Sequence, residues 1–227
     1  MEIRKLVDSM TPIEILELYG RQDALFANHK IQDLTKHHQK LLYPNTTEPK
    51  FFKAFEYKRA SSLNLVLQCF DKGNSYPSKQ RLGIHSYFWF NYRDGISAIR
   101  VVPDPRFGMV KYWYTSHFID RYRERYLKDM NVKKSKALEI FLCNNMKRVS
   151  KNIPSEKYGE NNIWQLCNDG ICLMEIKPDT FIVVRTFIPW NSLSLNKQEV
   201  IRDISQYINN KRFESIIPNE FLPDIVD

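Results

Sequence analysis

Glycine is scarce in this chain of 227 residues, which has only seven glycines, no two of them closer than ten positions. Dinucleotide fingerprints and P-loops both need several glycines within a few positions, so neither phosphate-binding loop can be built here. The motifs of zinc proteases, nucleophile-elbow hydrolases and EF-hands are also absent, and no run of about eighteen apolar residues could span a bilayer. These absences argue against the common nucleotide-binding, metalloprotease and membrane-spanning classes.

Metal-binding residues are equally sparse. Of the four cysteines, only Cys167 and Cys172 lie close together, on either side of a predicted turn. A zinc site needs a second cysteine pair or a suitably spaced histidine pair, and the adjacent His37 and His38 would point about 100° apart on a helix. We therefore expect reduced, structural cysteines, no metal and no cofactor. No apolar signal segment follows Met1, so the expected location is the cytoplasm.

Positive charge is concentrated in one segment. The chain carries a net charge of +8, and between Arg100 and Lys151 there are thirteen Lys or Arg residues against five Asp or Glu, so the rest of the chain is neutral. Such a local excess is typical of a surface that binds a polyanion, with nucleic acid as the leading partner. The alternative is a solvated basic face without a ligand.

The predicted secondary structure is mixed. Thr11 and Glu14 with Pro12 between them predict a helix start, and one or two helices should reach Leu42. Strands and helices then follow, with the predicted strands at 63–70, 84–92, 96–102, 109–114, 163–167, 171–176 and 180–188, and further helices from 116, over 135–150 and over 194–209. The expected fold is α+β, with helices packed on an antiparallel sheet. We place the domain boundary so that 1–108 is a helix and hairpin region and 109–227 is the second domain.

The helix beginning near Ser116 carries the most informative pattern. At 100° per residue, His117, Arg121, Glu124, Arg125 and Lys128 share one stripe. The opposite, buried face is predicted to contain Phe118, Ile119, Tyr122, Tyr126 and Met130. Histidine exchanges protons near neutral pH and arginine holds phosphate oxygens in a planar fork, so the stripe is suited to phosphodiester cleavage. A salt-bridged, exposed helix face is the alternative.

This arrangement resembles small ribonuclease toxin domains related to BrnT and RelE. The resemblance covers about 114–188 and lies in Ser116-His117, the following Arg121, Glu124 and Arg125, a second helix, and strands ending near Thr186. It implies a barnase/RelE-like fold for the C-terminal domain. It also implies that His117, Arg121, Arg125 and Thr186 form the active site, with Arg125 belonging to a recurring Glu-Arg pair.

We therefore expect a metal-independent endoribonuclease that cleaves RNA by attack of the 2′-OH on the adjacent phosphate. Residues expected to bind nucleic acid are Lys128, Lys133, Lys134, Lys147, Arg148 and Lys151. One alternative is a non-catalytic nucleic-acid-binding or regulatory protein of a mobile element or phage. Another is a protein-interaction or inhibitor module whose basic face meets an acidic partner or antitoxin, with Tyr87-Phe88-Trp89-Phe90 as either an interface strand or a core strand.

Overall fold

The computed structural model describes residues 9–18, 21–43, 45–58, 63–104, 108–146, 148–154, 156, 159–178, 181–194, 199 and 201–202. The fold is α+β, as predicted, with most strand pairs antiparallel. The chain forms two compact units, Met1–Val102 and Pro103–Asp227. None of the helices in the described ranges has the length and apolar character that crossing a membrane requires.

In its described residues, the first unit contains three helices and five strands. The helices are α1 Pro12–Leu18, α2 Arg21–His38, which continues as a 3-10 turn over Gln39–Leu41, and the short α3 Ser78–Arg81. The strands are β1 Lys50–Phe51, β2 Phe55–Lys58, β3 Asn64–Asp71, β4 Leu82–Tyr92 and β5 Gly95–Asp104. They are ordered β1-β3-β4-β5, with β2 also paired to β3.

Two local signals in this unit are confirmed. Thr11 Oγ1 accepts a 3.3 Å hydrogen bond from Glu14 N, and Glu14 Oε2 accepts one of 2.6 Å from Thr11 N, which is the reciprocal capping arrangement that starts α1. The sequence Arg93-Asp94-Gly95 predicts a hairpin turn, and it does join β4 to β5, with Gly95 at φ of 117°, a value that favours glycine. The turn residues therefore fix this hairpin locally.

The aromatic run at 87–90 is a core strand. Tyr87, Phe88 and Phe90 in β4 are 2%, 6% and 0% exposed, while Trp89 is half-buried. The run is too buried to serve as an exposed interface strand, so the core interpretation of this segment is confirmed.

The second unit contains two described helices and five strands. The helices are α4 Ser116–Tyr122, which continues as a π-helical turn over Arg123–Leu127, and α5 Lys134–Asn144, and a 3-10 turn covers Trp190–Ser192. The strands are β6 Gly108–Tyr114, β7 Arg148–Asn152, β8 Asn162–Cys167, β9 Gly170–Lys177 and β10 Phe181–Pro189. The helix predicted over 194–209 falls largely outside the described residues.

The sheet of the second unit has the order β6-β10-β9-β8-β7. The strands predicted at 163–167, 171–176 and 180–188 are present as β8, β9 and β10, and they pair in chain order as an antiparallel meander. The sheet is not wholly antiparallel, because β10 pairs with β6 in parallel. The helix predicted over 135–150 was also too long, since α5 ends at Asn144 and β7 begins at Arg148.

A β-bulge at Arg185 reverses the expected side-chain alternation in β10. Val184 and Thr186 pair with the consecutive residues Met174 and Leu173 of β9, so they face opposite sides of the sheet. One face therefore carries Ile182, Val184 and Phe187, and the other carries Phe181, Val183, Thr186 and Ile188.

Each face of this sheet has its own apolar core. On the Phe187 face, rings of α4 and α5 surround Phe187 at 5.0 Å from Tyr122, 6.2 Å from Phe141 and 6.3 Å from Phe118. On the other face, Leu166 and Ile171 join a cluster that includes Trp190 and Ile201. Helix α4 thus packs on one face of the sheet, through its aromatic rings.

Candidate active site on helix α4

The start of α4 is fixed to β10 by Thr115. Its hydroxyl accepts a 3.1 Å hydrogen bond from Phe118 N and donates one of 3.1 Å to Val184 O. Thr115 therefore acts both as the helix cap and as a link to the neighbouring strand. Ser116 is buried, whereas His117 is exposed in the first turn of the helix.

His117 and Arg121 are in contact, as their spacing predicts. Arg121 Nε lies 3.5 Å from His117 Nε2, and Arg121 Nη1 lies 2.6 Å from Glu124 Oε2. The arginine side chain is 34% exposed, so its guanidinium is held between the imidazole and the carboxylate at the surface. For Arg121 to donate to Nε2, that nitrogen must carry a lone pair, so this contact suits a neutral imidazole protonated at Nδ1.

The helical stripe ends earlier than predicted because of the π-helical turn over Arg123–Leu127. Lys128 lies beyond it in the left-handed region, with φ of 53° and ψ of 30°, and so does not continue the stripe. Tyr126 and Met130, predicted to be buried, are 36% and 51% exposed. The prediction assumed 100° per residue throughout the helix. The π-helical turn is wider than an α-helical turn, so the side chains that follow it point in other directions.

Arg125 reaches the sheet. Its Nη1 donates a 3.1 Å hydrogen bond to Phe187 O on β10, so at least one donor of this guanidinium is used to join α4 to the strand. This contact is separate from the Arg121 contacts with His117 and Glu124.

Thr186 lies on the sheet face opposite Phe187, the residue against which α4 packs. The resemblance to toxin domains implies that Thr186 shares a site with His117, whereas the bulge at Arg185 turns the Thr186 side chain to the other face of the sheet. Arg185 itself donates to Asn162 Oδ1 at 2.6 Å and to Met174 O at 3.1 Å. The structure brings together His117 and Arg121, but it does not place Thr186 on their side.

The basic residues expected to bind nucleic acid differ in their exposure and in the hydrogen bonds they make. Lys128 and Lys133 are exposed. Lys134 donates 2.7 Å hydrogen bonds to Asp120 Oδ2 and Ser116 Oγ, so it stabilises the junction of α4 and α5. Lys147 falls outside the described residues, and so do the side chains of Arg148 and Lys151.

A buried carboxylate beneath α4 was missed by the sequence interpretation. Asp169, in the turn between β8 and β9, is 7% exposed. Its Oδ2 accepts hydrogen bonds from Tyr122 Oη at 2.5 Å and Asn145 Nδ2 at 2.8 Å, and Asn144 Nδ2 lies 3.4 Å away. From the sequence, Asn168-Asp169-Gly170 indicated only a turn, because nothing local shows that its carboxylate meets residues 24 and 47 positions earlier.

The same cluster perturbs two tyrosines. Burial, together with the hydrogen bond to Asp169, raises the pKa of Tyr122 far above its ordinary value. Tyr126 is only partly covered, and this partial burial, followed by the hydrogen bond to Asp169, raises the pKa of Tyr126 to about 12. A phenol is protonated at neutral pH even at its ordinary pKa, so these shifts do not change the charge of either tyrosine there; they reflect how far the site is shielded from water.

All four cysteines are free thiols, as expected, and Cys167 Sγ lies 3.7 Å from Cys172 Sγ. Among the described residues, no group of three or more His, Cys, Asp or Glu side chains is arranged to hold a metal ion. Comparison with protein-family models, with curated proteins and with solved structures finds no match to this chain.

Proposed function

We propose that the protein is a metal-independent endoribonuclease whose second unit is related to the barnase/RelE-like toxin domains. The observation that carries the proposal is the contact between His117 and Arg121 on the exposed side of α4. A proton-exchanging imidazole and a phosphate-binding guanidinium one helical turn apart are the two groups that cleavage by an internal 2′-OH needs most.

The contact suggests how the two groups share the work. In the free protein the lone pair of His117 Nε2 faces Arg121. A substrate phosphate attracts Arg121 more strongly than a neutral ring nitrogen does, because the bond between two charged groups is the stronger one. Movement of Arg121 to the phosphate frees Nε2 to take the proton of the 2′-OH. The 2′ oxygen then attacks the adjacent phosphorus while the bond between phosphorus and the 5′ oxygen breaks, which leaves a 2′,3′-cyclic phosphate. The departing 5′ oxygen takes a proton from water, and the guanidinium stabilises the charge that develops on the phosphate.

Glu124 and Arg125 have supporting roles in this proposal. Glu124 holds Arg121 at 2.6 Å in the free protein and so limits the number of directions in which the guanidinium can point. Arg125 holds α4 against β10 through Phe187 O, with its remaining donors available for a second phosphate. The proposal assigns Thr186 no contact with the substrate, since it lies on the other face of the sheet.

The alternative of a non-catalytic nucleic-acid-binding protein uses the same basic segment. The two functions differ in the product, so one experiment separates them. Labelled single-stranded RNA is incubated with the protein in excess EDTA, and the fragment ends are analysed. The proposal expects fragments with 2′,3′-cyclic phosphate ends and no cleavage of the matching DNA, because the attacking oxygen comes from the RNA itself. Binding without fragments would favour the non-catalytic function.

A further inference from the structure

The first unit carries an exposed aromatic column that is separate from α4. His38 stacks on Phe52 with ring centroids 4.4 Å apart and an interplanar angle of 20°. Phe52 stacks in turn on Tyr43, at 5.5 Å and 18°. The inner end of the column is buried, since His38 is 6% exposed, whereas Tyr43 at the outer end is 39% exposed. The column thus leads from the core of the unit to the solvent.

The middle ring is firmly held. Phe52 N donates a 2.9 Å hydrogen bond to Cys69 O, and Phe52 O accepts one of 3.2 Å from Gln68 Nε2. Both partners belong to β3, which lies inside the sheet of this unit. The backbone that carries the Phe52 ring is therefore held against β3.

A buried ion pair fixes the backbone of Tyr43. Asp71 is fully buried, and its Oδ2 accepts a 2.9 Å hydrogen bond from Tyr43 N. Arg81, which pairs with Asp71, also donates a 2.6 Å hydrogen bond to Tyr43 O. The exposed ring is consequently attached to a backbone whose amide and carbonyl are both bonded to one ion pair, so little freedom remains to be lost when a ligand binds.

The same ion pair organises a second exposed tyrosine. Asp71 Oδ1 accepts a 2.9 Å hydrogen bond from Gly73 N, and Tyr76 N in turn bonds to Gly73 O at 3.3 Å. Gly73 has φ of 95°, and a Cβ there would lie 2.8 Å from Thr47 O, so the loops that carry the two tyrosines are in close contact. Tyr76 is 47% exposed.

Each exposed tyrosine lies beside a lysine. Lys50 Nζ is 5.6 Å from the ring centroid of Tyr43, and Lys72 Nζ is 5.2 Å from that of Tyr76. Lys50 pairs across the strands with Asp71, the residue directly before Lys72, so the two lysines belong to neighbouring backbone positions. Positions 39–58 and 71–81 together contain seven Lys or Arg residues and three Asp or Glu. Asp71 and Arg81 neutralise each other in an ion pair, which leaves six basic and two acidic residues, so the local charge is positive.

We infer that the exposed face of Tyr43, with Lys50 beside it, binds single-stranded nucleic acid through one base stacked on the Tyr43 ring. An unpaired base on the outer face of Tyr43 would extend the column by one ring, and the ammonium of Lys50 would move from that ring to the flanking phosphate. Stacking on anchored aromatic rings beside lysines is how sequence-tolerant single-strand binding proteins work. A base in a duplex cannot present its face in this way, so the surface selects single strands. The inference does not depend on cleavage at α4.

The test uses probes that have no 2′-OH for attack, so a failure of the ribonuclease proposal leaves it intact. Fluorescein-labelled DNA and 2′-O-methyl RNA of about eight nucleotides, a length suited to one such site, are titrated with the full chain and followed by anisotropy. Tyr43→Ala is expected to weaken binding of both single strands by roughly tenfold, while Tyr43→Phe retains the affinity within about twofold. Lys50→Gln should weaken binding less than Tyr43→Ala does. It should also reduce the slope of log affinity against log salt concentration by about one, because one phosphate contact is lost.

Leu41→Ala is the matched control, because Leu41 is 49% exposed close to Tyr43 in the sequence but offers no ring for stacking. Equal weakening by Leu41→Ala and Tyr43→Ala would overturn the inference. A labelled duplex is titrated in parallel, and the inference is also overturned if Tyr43→Ala weakens duplex binding as much as single-strand binding. If oligoglutamate bound as tightly as the single strands, the surface would be a site for an acidic protein instead. Thermal melting reports whether Tyr43→Ala is folded. If Tyr43→Ala does not fold, the two milder variants provide the test. Unchanged affinity of Lys50→Gln together with weakened binding by Tyr43→Phe would then contradict the inference.

Discussion

The hydroxyl of Tyr122 donates a 2.5 Å hydrogen bond to Asp169 Oδ2, which joins the buried side of α4 to the turn between β8 and β9. Tyr122 is 1% exposed and Asp169 is 7% exposed, so the bond is shielded from water. Because the exposed side of the same helix carries His117 and Arg121, this bond helps to determine where those groups point.

Removal of the Tyr122 hydroxyl is expected to destabilise the protein. Tyr122→Phe keeps the ring contacts with Phe187 but leaves a buried carboxylate with one donor fewer, which should lower the free energy of unfolding by about 1–3 kcal/mol. Urea denaturation measures the change. Tyr57→Phe is the control, since Tyr57 contributes ring contacts with Phe26 and Lys30. A Tyr122→Phe variant as stable as the control would show that Asp169 does not need this donor.

The His38 ring predicts a pH dependence of stability. Burial, and secondarily the neighbouring His37, lowers the pKa of His38 below its ordinary value. The unfolded chain therefore binds a proton more readily than the folded chain, so this contribution to stability is present above pH of about 6.5 and is lost as pH falls below it. In His38→Phe, which keeps a ring under Phe52, the decrease in melting temperature between neutral and mildly acidic pH should be smaller. An unchanged decrease would assign the effect to other groups.

Affinity for RNA should depend on the exposed lysines of the second unit. Replacement of Lys128 and Lys133 by Ala is expected to weaken binding of all RNA sequences alike and to reduce the salt dependence by about two counterions. Lys36→Ala on α2 is a control of the same chemistry in the first unit. Binding measured over a salt series provides the test, and a change in sequence preference would contradict the assignment of these lysines to phosphate contacts.

Lys134 should behave differently from those two lysines. Its ammonium bonds to Asp120 and Ser116, so Lys134→Ala should lower stability in addition to any effect on binding. Thermal melting separates the two effects, and a Lys134→Ala variant with unchanged melting temperature would show that the α4–α5 junction does not need the ion pair.

Arg121 should contribute through its planar fork as well as its charge. If it holds the reacting phosphate, Arg121→Ala should reduce the cleavage rate by about two to three orders of magnitude, and Arg121→Lys should restore only part of that loss. Single-turnover cleavage of labelled RNA measures both variants. Full activity of Arg121→Lys would indicate that a single positive charge is sufficient there.

The elements that the sequence predicted correctly depend on neighbouring residues. The Thr11 and Glu14 cap, the turn before Gly95 and the start of α4 after Thr115 are each determined within a few positions. The α+β class followed from these elements. The parallel pairing of β6 with β10 and the strand that begins at Arg148 depend on distant partners, so local patterns could not reveal them.

In the candidate site, too, the features that depend on neighbouring residues were predictable, and those that depend on distant packing were not. His117 and Arg121 are four positions apart on one helix, so their contact followed from helical geometry. The π-helical turn at Arg123–Leu127 and the bulge at Arg185 each add a residue to a regular element, which changed the expected positions of Lys128 and Thr186. Such irregularities arise from packing against other parts of the fold and have no local signature.

Cleavage of RNA in chelator by wild type and by His117→Ala tests the proposed function most directly. His29→Ala is the matched control, because His29 is also an exposed histidine on a helix but lies in the first unit. The account predicts that His117→Ala loses about two to four orders of magnitude in rate without unfolding, while His29→Ala cleaves like wild type. Equal cleavage by wild type and His117→Ala would place the active site elsewhere, and absence of cleavage by wild type with binding intact would contradict the ribonuclease function.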